Sequence, residues 1–428
     1  MDKLIINGGK RLGGEISVHG SKNAVLPIMA ASLLIKGETV LHNVPNLSDV
    51  SASIDILEYL GAKVKREGGN LIINAAEIIN NDIPESMMLE MRSSIIFLGS
   101  LLARCRQAYM CRPGGCDIGI RPIDLHLEAL SALGAMVEER GSCISCIARE
   151  LRGARLVLSF PSVGATENAI IAATLAKGKT TIINAAREPE ICDLADFLNS
   201  CGARITGAGE GVIEIDGVDM LHPTQHGIIP DRVLAATYMS AAALNSNELV
   251  IKNIIPSHLA PVIPVYMKMG CRLYLNDDEL KLVAPKRIKH IKHIKTLPYP
   301  GFPTDCQALA AAVLIKARGT SVISEGVFEN RFNYAAELNR LGADISVYGR
   351  TAIIYGVKRL CGAKLRCTDL RGGAAMVIAA LAAEGESTVT QLNHIDRGYE
   401  AIEESLASVG ADIKRINDEK KECKKKEI

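Results

Sequence analysis

Hydrophobic residues recur along the chain in two helical patterns. The first is apolar nearly all round and rich in alanine, and a helix of this kind is expected to be buried. Six such helices are predicted, beginning near Lys22, Arg92, Thr166, Asp231, Asp305 and Arg371. The second pattern is amphipathic, as in the segment 52–59. It predicts helices that cover the core with one face.

Each amphipathic segment ends in a short motif of the form Leu-Gly-Ala, followed by a β-rich stretch. The glycines of this motif recur every 68 to 73 residues, at Gly61, Gly134, Gly202, Gly270, Gly342 and Gly410. Glycine at such a position is typical of a helix C-terminal cap in the left-handed conformation. The pattern therefore predicts six repeats of about 70 residues, each with strands, one buried helix and one more exposed helix.

Six such units suggest an α/β fold of two lobes with three repeats each, helices inside and sheets outside. We expect residues 22-229 to form the first lobe, which carries the Cys116 loop. Residues 1-21 plus 230-416 are expected to form the second lobe. Segments 4–6 and 15–19 are predicted to form a hairpin that pairs with the second lobe. Residues 417-428 are rich in lysine and glutamate and are expected to be disordered.

Composition excludes several classes of function. The 428 residues are 48% hydrophobic and 23% charged, which is typical of a globular protein. A net charge of +1 and the absence of tryptophan argue against a nucleic-acid partner. The apolar runs are too short for membrane insertion, and no signal peptide opens the sequence. Twelve cysteines without framework spacing fit a reducing compartment, so a cytoplasmic location is expected.

One cysteine stands in a loop built of turn formers and cations. The segment 112–122, RPGGCDIGIRP, places Cys116 between Arg112 and Arg121. Nearby cations lower the pKa of a thiol. Cys116 is therefore a candidate catalytic acid or nucleophile for an anionic substrate. A surface turn with an incidental cysteine is the alternative that these residues leave open.

Several of the buried helices open with a cation, as at Lys22, Arg92, Arg232 and Arg371. The positive end of the helix dipole disfavours a cation there. If these helix starts converge, they form an anion site with added positive charge. The alternative is that each cation simply extends into solvent.

Three other patterns are interpreted as structural. Gly178-Lys-Thr180 lies between a helix and a strand, the wrong order for a phosphate loop. Cys143 and Cys146 have no second pair at zinc spacing and are interpreted as a structural pair. The basic segment 287–295 is interpreted as a solvated strand edge.

The assembled motifs resemble the UDP-N-acetylglucosamine enolpyruvyl transferases of the EPSP synthase family, over residues 1 to about 416. The motifs that carry the resemblance are Gly20-Ser-Lys-Asn-Ala24, the Cys116 loop, Ser162-Val-Gly-Ala-Thr166, Asn184-Ala-Ala-Arg-Glu-Pro-Glu190, Phe302-Pro-Thr-Asp305, Phe328-Glu-Asn-Arg-Phe332, Thr368-Asp-Leu-Arg371 and His394-Ile-Asp-Arg-Gly-Tyr399. The resemblance implies a two-lobed inside-out α/β barrel whose lobes face each other across a cleft.

The resemblance also implies a reaction. The enolpyruvyl group of phosphoenolpyruvate passes to the 3′-hydroxyl of UDP-N-acetylglucosamine through a tetrahedral intermediate, and phosphate leaves. This is the first committed step of peptidoglycan precursor synthesis. Cys116 is then the proton donor and the residue alkylated by fosfomycin, and Asp305 accepts the sugar hydroxyl proton. Lys22, Arg121 and Arg397 hold phosphoenolpyruvate.

By the same resemblance, no cofactor or metal is expected, and a larger set of residues binds the nucleotide sugar or supports the cleft. These residues are Lys22, Asn23, Arg92, Arg121, Pro122, Ile123, Asp124, Leu125, Ser162, Val163, Gly164, Asp305, Val327, Arg331, Asp369, Arg371 and Arg397.

Four positions depart from the family pattern: Ser48, Phe160, Leu234 and Tyr334. Family members often carry Lys at the first, some carry Lys at the second, and an acid and a His are common at the third and fourth. These departures bear on uridine binding and lobe contacts.

Two alternatives stay open. One is an enolpyruvylshikimate phosphate synthase-like enzyme, although the Cys116 loop and the run 184–190 fit the sugar-nucleotide enzymes better. The other is a weakly active paralogue that binds the nucleotide sugar. The intact Lys22, Cys116, Asp305 and Arg397 argue against it.

Overall fold

The computed structural model describes residues 2–114, 118–119, 122–245 and 248–417. Cys116, Arg121 and the predicted tail from residue 418 onward lie outside the described residues. Within the described residues the chain forms fourteen α-helices: α1 (Lys22–Ala31), α2 (Ser48–Tyr59), α3 (Glu85–Glu90), α4 (Phe97–Cys105), α5 (Asp124–Ala132), α6 (Val163–Thr174), α7 (Pro189–Ser200), α8 (Arg232–Asn245), α9 (Ile263–Lys268), α10 (Gln307–Leu314), α11 (Tyr334–Arg340), α12 (Leu370–Leu381), α13 (Asn393–Asp396) and α14 (Ile402–Ser408).

The same part of the chain contains twenty-four strands, most of them five residues or shorter. They are β1 (Asp2–Asn7), β2 (Glu15–Ser17), β3 (Glu38–His42), β4 (Lys63–Glu67), β5 (Asn70–Asn74), β6 (Asp82–Ile83), β7 (Gln107–Cys111), β8 (Met136–Arg140), β9 (Cys143–Ile147), β10 (Arg155–Val157), β11 (Lys179–Ile183), β12 (Ile205–Thr206), β13 (Val212–Asp216), β14 (Gln225–Gly227), β15 (Glu248–Lys252), β16 (Arg272–Leu275), β17 (Glu279–Val283), β18 (Ile294–Lys295), β19 (Thr320–Ser324), β20 (Asp344–Tyr348), β21 (Thr351–Tyr355), β22 (Lys364–Arg366), β23 (Glu386–Thr390) and β24 (Asp412–Asn417).

These strands form six four-stranded sheets with one common plan among the described residues. One edge strand lies parallel to its neighbour, and the other three strands are antiparallel. The sheets are β14-β3-β5-β4, β6-β7-β9-β8, β10-β11-β13-β12, β16-β17-β15-β2, β18-β19-β21-β20 and β22-β23-β1-β24. The six predicted repeats therefore correspond to six sheets.

The six predicted apolar helices are present and buried. They are α1, α4, α6, α8, α10 and α12, and short 3₁₀ turns at Arg92–Ile96 and Thr304–Cys306 lead into α4 and α10. In α12 every residue from Arg371 to Leu381 is buried. The six motif glycines all have positive φ, between 90° and 108°. A side chain would be strained in that conformation, which explains why each helix of the second kind ends at a glycine.

Contacts divide the described chain into two compact units, each with three sheets and its own hydrophobic core. Residues 20–114 and 122–229 form one, here called the Lys22 unit. Residues 2–19, 118–119 and 230–417 form the other, here called the Asp305 unit. Besides residues 118–119, the Asp305 unit consists of a segment that ends at His19 and one that begins after Ile229, so the first nineteen residues belong with the C-terminal half.

The predicted N-terminal hairpin is wrong. β1 and β2 lie in different sheets: β1 is antiparallel to both β23 and β24, whereas β2 is parallel to β15. Leu12, between them, is 3% exposed and donates its N–H to the carbonyl of Asn245. Because Leu12 is buried and hydrogen-bonded to Asn245, the segment between β1 and β2 does not form a hairpin turn, although glycine pairs lie on either side of Leu12.

The three sequence patterns that were interpreted as structural lie in or next to strands. Gly178-Lys-Thr180 leads into β11 after helix α6, so this segment is not a phosphate loop. Cys143 and Cys146 do not pair, because β9 turns them to opposite faces: Cys146 is buried and Cys143 is exposed. The segment 287–295 ends in β18, the edge strand of its sheet. No helix among the described residues has the length and apolar character needed to cross a membrane.

A buried carboxyl group lies in helix α6 of the Lys22 unit. Glu167, in α6, is 3% exposed, and Glu190, in α7, is 2% exposed. Burial, reinforced by the negative charges of Glu190 and Glu188, raises the pKa of Glu167 from 4.5 to about 8. The folded protein therefore keeps a proton at neutral pH that the unfolded chain releases.

We expect this proton to make the stability of the protein depend on pH. The contribution of Glu167 is fully present below pH 4.5 and is lost as pH rises to about 8, by up to about 1.4 kcal/mol per pH unit. Glu167→Gln, which is always neutral, should flatten this decline in urea-denaturation curves measured between pH 5 and pH 8. Glu58→Gln, on the exposed face of α2, is the control and should keep the wild-type slope. An unchanged slope in Glu167→Gln would contradict the assignment.

Candidate active site

In the Asp305 unit, a carboxylate at the start of α10 lies between two buried guanidinium groups. Arg331 Nη2 is 2.8 Å from Asp305 Oδ1, and Arg371 Nη2 is 3.2 Å from Asp305 Oδ2. The arginine side chains are 4% and 3% exposed, whereas that of Asp305 is 30% exposed. The cluster therefore presents the carboxylate to solvent and keeps its counter-charges inside.

Neighbouring groups fix each arginine. Arg331 donates from Nε and Nη2 to the carbonyl of Thr304, both at 3.4 Å, and its Nη1 is 3.6 Å from Asp369 Oδ1. Arg371 Nη1 donates to the hydroxyl oxygen of Tyr399 at 3.2 Å. Asp369 also caps α12, because its Oδ1 accepts the N–H groups of residues 371 and 372. Both predicted supporting residues, Asp369 and Arg371, thus belong to the network of Asp305.

This network determines the charge state of Asp305. Burial by itself would raise the pKa of Asp305, but the positive charges of Arg371, Arg331 and Arg232 hold it well below its usual range. Burial would likewise lower the pKa of Arg371, but Tyr399 and the charge of Asp305 raise it. Asp305 is therefore a firmly ionised carboxylate, and the starts of α8, α10 and α12 meet around it.

A buried carboxylate, Glu325, ties the loop of Val327 to the start of α10. Glu325 directly follows β19 and is 3% exposed. Its Oε1 accepts the N–H groups of Val327 and Phe328, at 2.8 and 3.2 Å. Its Oε2 accepts from Thr304 Oγ1 at 3.1 Å and from Gln307 Nε2 at 3.3 Å. One side chain thus positions both the Val327 loop and the turn that carries Asp305.

In the Lys22 unit, the cation at the start of α1 is buried and paired. Lys22 Nζ is 2.6 Å from Asp49 Oδ2, and the two side chains are 9% and 3% exposed. Asp49 lies in the first turn of α2, where the helix dipole favours a negative charge. The alternative in which each cation extends into solvent is thus wrong for Lys22, as it is for Arg371.

The start of α6 is closely packed and capped by a side chain. Ser162 caps this helix by accepting the N–H of Ala165. Gly164 faces His126 so closely that an added Cβ would lie 2.9 Å from the imidazole Cε1. Asn168 accepts from the N–H of Gly99 and donates to the carbonyl of Ile95, which fixes the orientation of its amide.

The fixed amide of Asn168 determines the tautomer of His126. Asn168 Nδ2 lies 2.7 Å from His126 Nδ1, which must accept, so the proton of a neutral imidazole is on Nε2. His126 follows Asp124 and Leu125 in α5. Its contact with Gly164 brings this part of α5 close to the start of α6, the predicted residues 162–164.

Arg92 lies close to the described end of the Cys116 loop. It opens the 3₁₀ turn before α4, and its Nη1 donates to the carbonyl of Pro113 at 3.4 Å. Gly114 donates its N–H to the carbonyl of Met88, and an added Cβ would lie 2.6 Å from the carbonyl oxygen of Leu89. Hydrogen bonds and close packing therefore fix the chain as far as Gly114. The roles assigned to Cys116 and Arg121 stay predictions.

The other predicted residues lie at loops and helix starts. Asn23, Leu125, Val163, Gly164, Val327 and Arg397 are half-buried, Pro122 and Asp124 are exposed, and Ile123 is buried. Among the described residues, no group of three or more His, Cys, Asp or Glu is placed to hold a metal ion.

Sequence reasoning missed four residues that organise these clusters: Asp49, His126, Asn168 and Glu325. Each is a polar residue inside a helix or after a strand, where its surroundings decide its role. Of the four departures, Tyr334 joins the network of Glu325, because its hydroxyl donates to Gln307 Oε1 at 2.8 Å. Leu234 is buried in α8, whereas Ser48 and Phe160 are exposed.

The family described as EPSP synthase (3-phosphoshikimate 1-carboxyvinyltransferase) matches residues 6–406 of the sequence. The chain belongs to the EPSP synthase family. Its curated relatives in this family include UDP-N-acetylglucosamine 1-carboxyvinyltransferase 2 of Caldanaerobacter subterraneus subsp. tengcongensis, which is 52% identical over 97% of this chain and 100% of the relative. The enzyme of the same name from Carboxydothermus hydrogenoformans is 47% identical over 98% and 100% of the two chains. UDP-N-acetylglucosamine 1-carboxyvinyltransferase 1 of Symbiobacterium thermophilum is 48% identical over 97% and 95%.

Solved structures of family members share the fold. The enolpyruvyl transferase NikO from Streptomyces tendae has a TM-score of 0.87 and 25% identity, over 97% of this chain and 98% of that one. EPSP synthase from Acinetobacter baumannii has a TM-score of 0.74 and 18% identity, over 97% and 100%. The predicted two-lobed inside-out α/β class is thus confirmed.

Glu325→Gln should weaken the attachment of the Val327 loop to α10. The substitution keeps the size of the side chain but replaces an acceptor oxygen with a donor, so buried donors lose their partner. We expect the free energy of unfolding to fall by about 1–3 kcal/mol, with faster hydrogen exchange at residues 327 and 328. Glu329→Gln is the matched control, because Glu329 pairs with Arg350 at the surface and should cost less than about 1 kcal/mol. Equal effects of the two substitutions would contradict the role given to Glu325.

Proposed function

We propose that this protein transfers the enolpyruvyl group of phosphoenolpyruvate to the 3′-hydroxyl of UDP-N-acetylglucosamine and releases phosphate, the first committed step of peptidoglycan precursor synthesis. The observation that carries the proposal is the near-full-length identity of 47–52% to three enzymes named for this reaction. The charged clusters of both units support it, because both substrates are anions.

In the proposed mechanism, Asp305 accepts the proton of the sugar hydroxyl. A carboxylate with a depressed pKa is a weak base, so the free protein holds Asp305 oriented but not strongly basic. Anionic substrates would compete for the positive charge of Arg331 and Arg371. That competition raises the pKa of Asp305 when the substrates are bound, and the carboxylate becomes a better base at the moment of transfer.

Phosphoenolpyruvate is held by Lys22, Arg121 and Arg397. Lys22 has three N–H donors, and Asp49 occupies one of them. The pairing fixes the direction of the ammonium group, whose positive charge attracts a phosphate or carboxylate. Cys116 delivers a proton to the methylene carbon as the hydroxyl oxygen adds to the neighbouring carbon. Fixed cations then stabilise the negative charge on the leaving phosphate.

We assign one set of residues in each unit to the nucleotide sugar. Asn23, Arg92, the segment 121–125 and the helix start 162–164 contribute from the Lys22 unit. Asp305, Val327 and Arg331 contribute from the Asp305 unit, where Glu325 holds the Val327 loop in place. Asp369 and Arg371 support this set by positioning Arg331 and Asp305.

The alternative acceptor is shikimate 3-phosphate, because the matching family is described by that reaction. Phosphate release from phosphoenolpyruvate, measured with each acceptor at saturation, separates the two. We expect release with UDP-N-acetylglucosamine and none above background with shikimate 3-phosphate. The opposite preference would overturn the proposal, and no release with either acceptor would favour a paralogue that only binds the nucleotide sugar.

Cys116 should be the residue that fosfomycin alkylates. Cys116→Asp retains a proton donor but cannot form a thioether, so it should stay active and resist the antibiotic. Cys116→Ser should lose most product release, because a hydroxyl is far too weak an acid. Cys361→Ser, at an exposed thiol outside the Cys116 loop, is the control and should stay sensitive. Mass spectrometry that finds the adduct on another cysteine, with activity lost, would contradict the assignment.

A further inference from the structure

We propose that Cys111 and Cys143 form a thiol–disulfide modification site on the outer face of sheet β6-β7-β9-β8, oxidised by small-molecule disulfides and restored by thiols. Cys111 is the last residue of β7 and Cys143 the first residue of β9, and the two are directly opposite in the ladder. Their Sγ atoms are 3.7 Å apart. The site does not depend on the proposed function.

The register of the two strands suits a disulfide. The N–H of Arg112 donates to the carbonyl of Ser142 at 2.7 Å, so residues 112 and 142 form a hydrogen-bonded pair. Pairs alternate along an antiparallel ladder, which makes Cys111 and Cys143 a non-hydrogen-bonded pair with Cα atoms about 4.5 Å apart. Disulfides span roughly 4.4–6.8 Å between Cα atoms. The backbone can therefore accept the bond with little movement.

The site is accessible, and its two sulfurs differ in exposure. Met110 and Ile144, next to them in sequence, are 4% and 1% exposed and face the core. Cys111 is half-buried and Cys143 is exposed on the opposite face. Arg140 of β8 lies opposite Cys143 on its other side, and the exposed Cys143 is the sulfur that a reagent reaches first. Burial raises the pKa of the Cys111 thiol, so Cys143 is the attacking sulfur.

The reaction proceeds in two exchanges. The thiolate of Cys143 attacks a small-molecule disulfide, forms a mixed disulfide and expels one thiolate. Cys111 then loses its proton and attacks the sulfur of Cys143, which expels the second thiolate. Two protein thiols are oxidised by two electrons, and the reagent is reduced to two thiols that carry away the two protons. Such reversible pairs are the kind of disulfide found in reducing compartments.

The position of the site gives it a structural consequence. The bond would fix the end of β7, five residues before Cys116 in the sequence, and would close a loop over the 32 positions that separate the two cysteines. Helix α5, with the predicted residues Asp124 and Leu125, lies within that loop. Closing a loop of this length restricts the unfolded chain and should raise the thermal midpoint.

The test is titration of the full-length protein with oxidised glutathione, followed by mass spectrometry and non-reducing peptide mapping. In wild type, the peptides of Cys111 and Cys143 should become cross-linked, about 2 Da lighter than the two free peptides together because the new bond removes two hydrogens, and dithiothreitol should restore them. Cys111→Ser should instead retain one glutathione on Cys143. Cys361→Ser is the control and should form the cross-link as wild type does. The thermal midpoint of wild type should rise on oxidation, and that of Cys111→Ser should not.

Two results would overturn the proposal. One is glutathione retained on Cys143 of wild type, as in Cys111→Ser, or a map that links either cysteine to another partner. The other is a thermal midpoint that falls when the bond forms, since this would mean that the native register does not accept it.

Discussion

Asp305 accepts hydrogen bonds from two buried guanidinium groups, and the starts of α8, α10 and α12 are arranged around that contact. A buried arginine without a partner is costly, and removing one member of a buried pair leaves an uncompensated charge. Arg371 also lies in the first turn of a helix, where the dipole opposes it. Asp305, Asp369 and Tyr399 offset both costs. The apolar helices can start in this charged region only because each buried cation has an anion or a hydroxyl within reach.

The Lys22 unit also has a buried cation at a helix start, and it neutralises that charge with a single ion pair. Lys22 begins an apolar helix and is neutralised by Asp49 from the neighbouring amphipathic helix. In both units, therefore, positive charge is held still before any substrate arrives. Preorganised charge of this kind does not need to reorient when negative charge develops on a bound phosphate. Glu325 also fixes its surroundings in advance, because its four hydrogen bonds hold the Val327 loop and the turn that carries Asp305.

The repeated architecture explains why the charged groups gather at helix starts. Each repeat buries one apolar helix behind a small sheet, and each unit brings three such helices together. Strands distant in sequence complete the sheets: β14 pairs with β3 in the Lys22 unit, and β2 pairs with β15 in the Asp305 unit. The first pairing joins the beginning of the Lys22 unit to its end, and the second joins the two main chain segments of the Asp305 unit. The sheet around Cys111 and Cys143 follows the same plan, but places its two thiols on the outer face.

Local and periodic features were determined by the sequence alone. The six glycines, the six alanine-rich helices and the α/β class follow from residue spacing, because helix periodicity and left-handed caps act over a few residues. The candidate residues at the helix starts, such as Lys22, Asp305 and Arg371, were also visible there. Their partners were not. Asp49, Glu325 and Asn168 look like ordinary polar residues until the fold buries them beside a cation, a backbone N–H or a histidine. The sequence also predicted an N-terminal hairpin, which is wrong, and a pair of Cys143 with Cys146, which β9 turns to opposite faces. Pairing between strands depends on which distant segment offers a free edge, and only the tertiary structure decides that β1 joins β23 and β24 and that Cys143 faces Cys111.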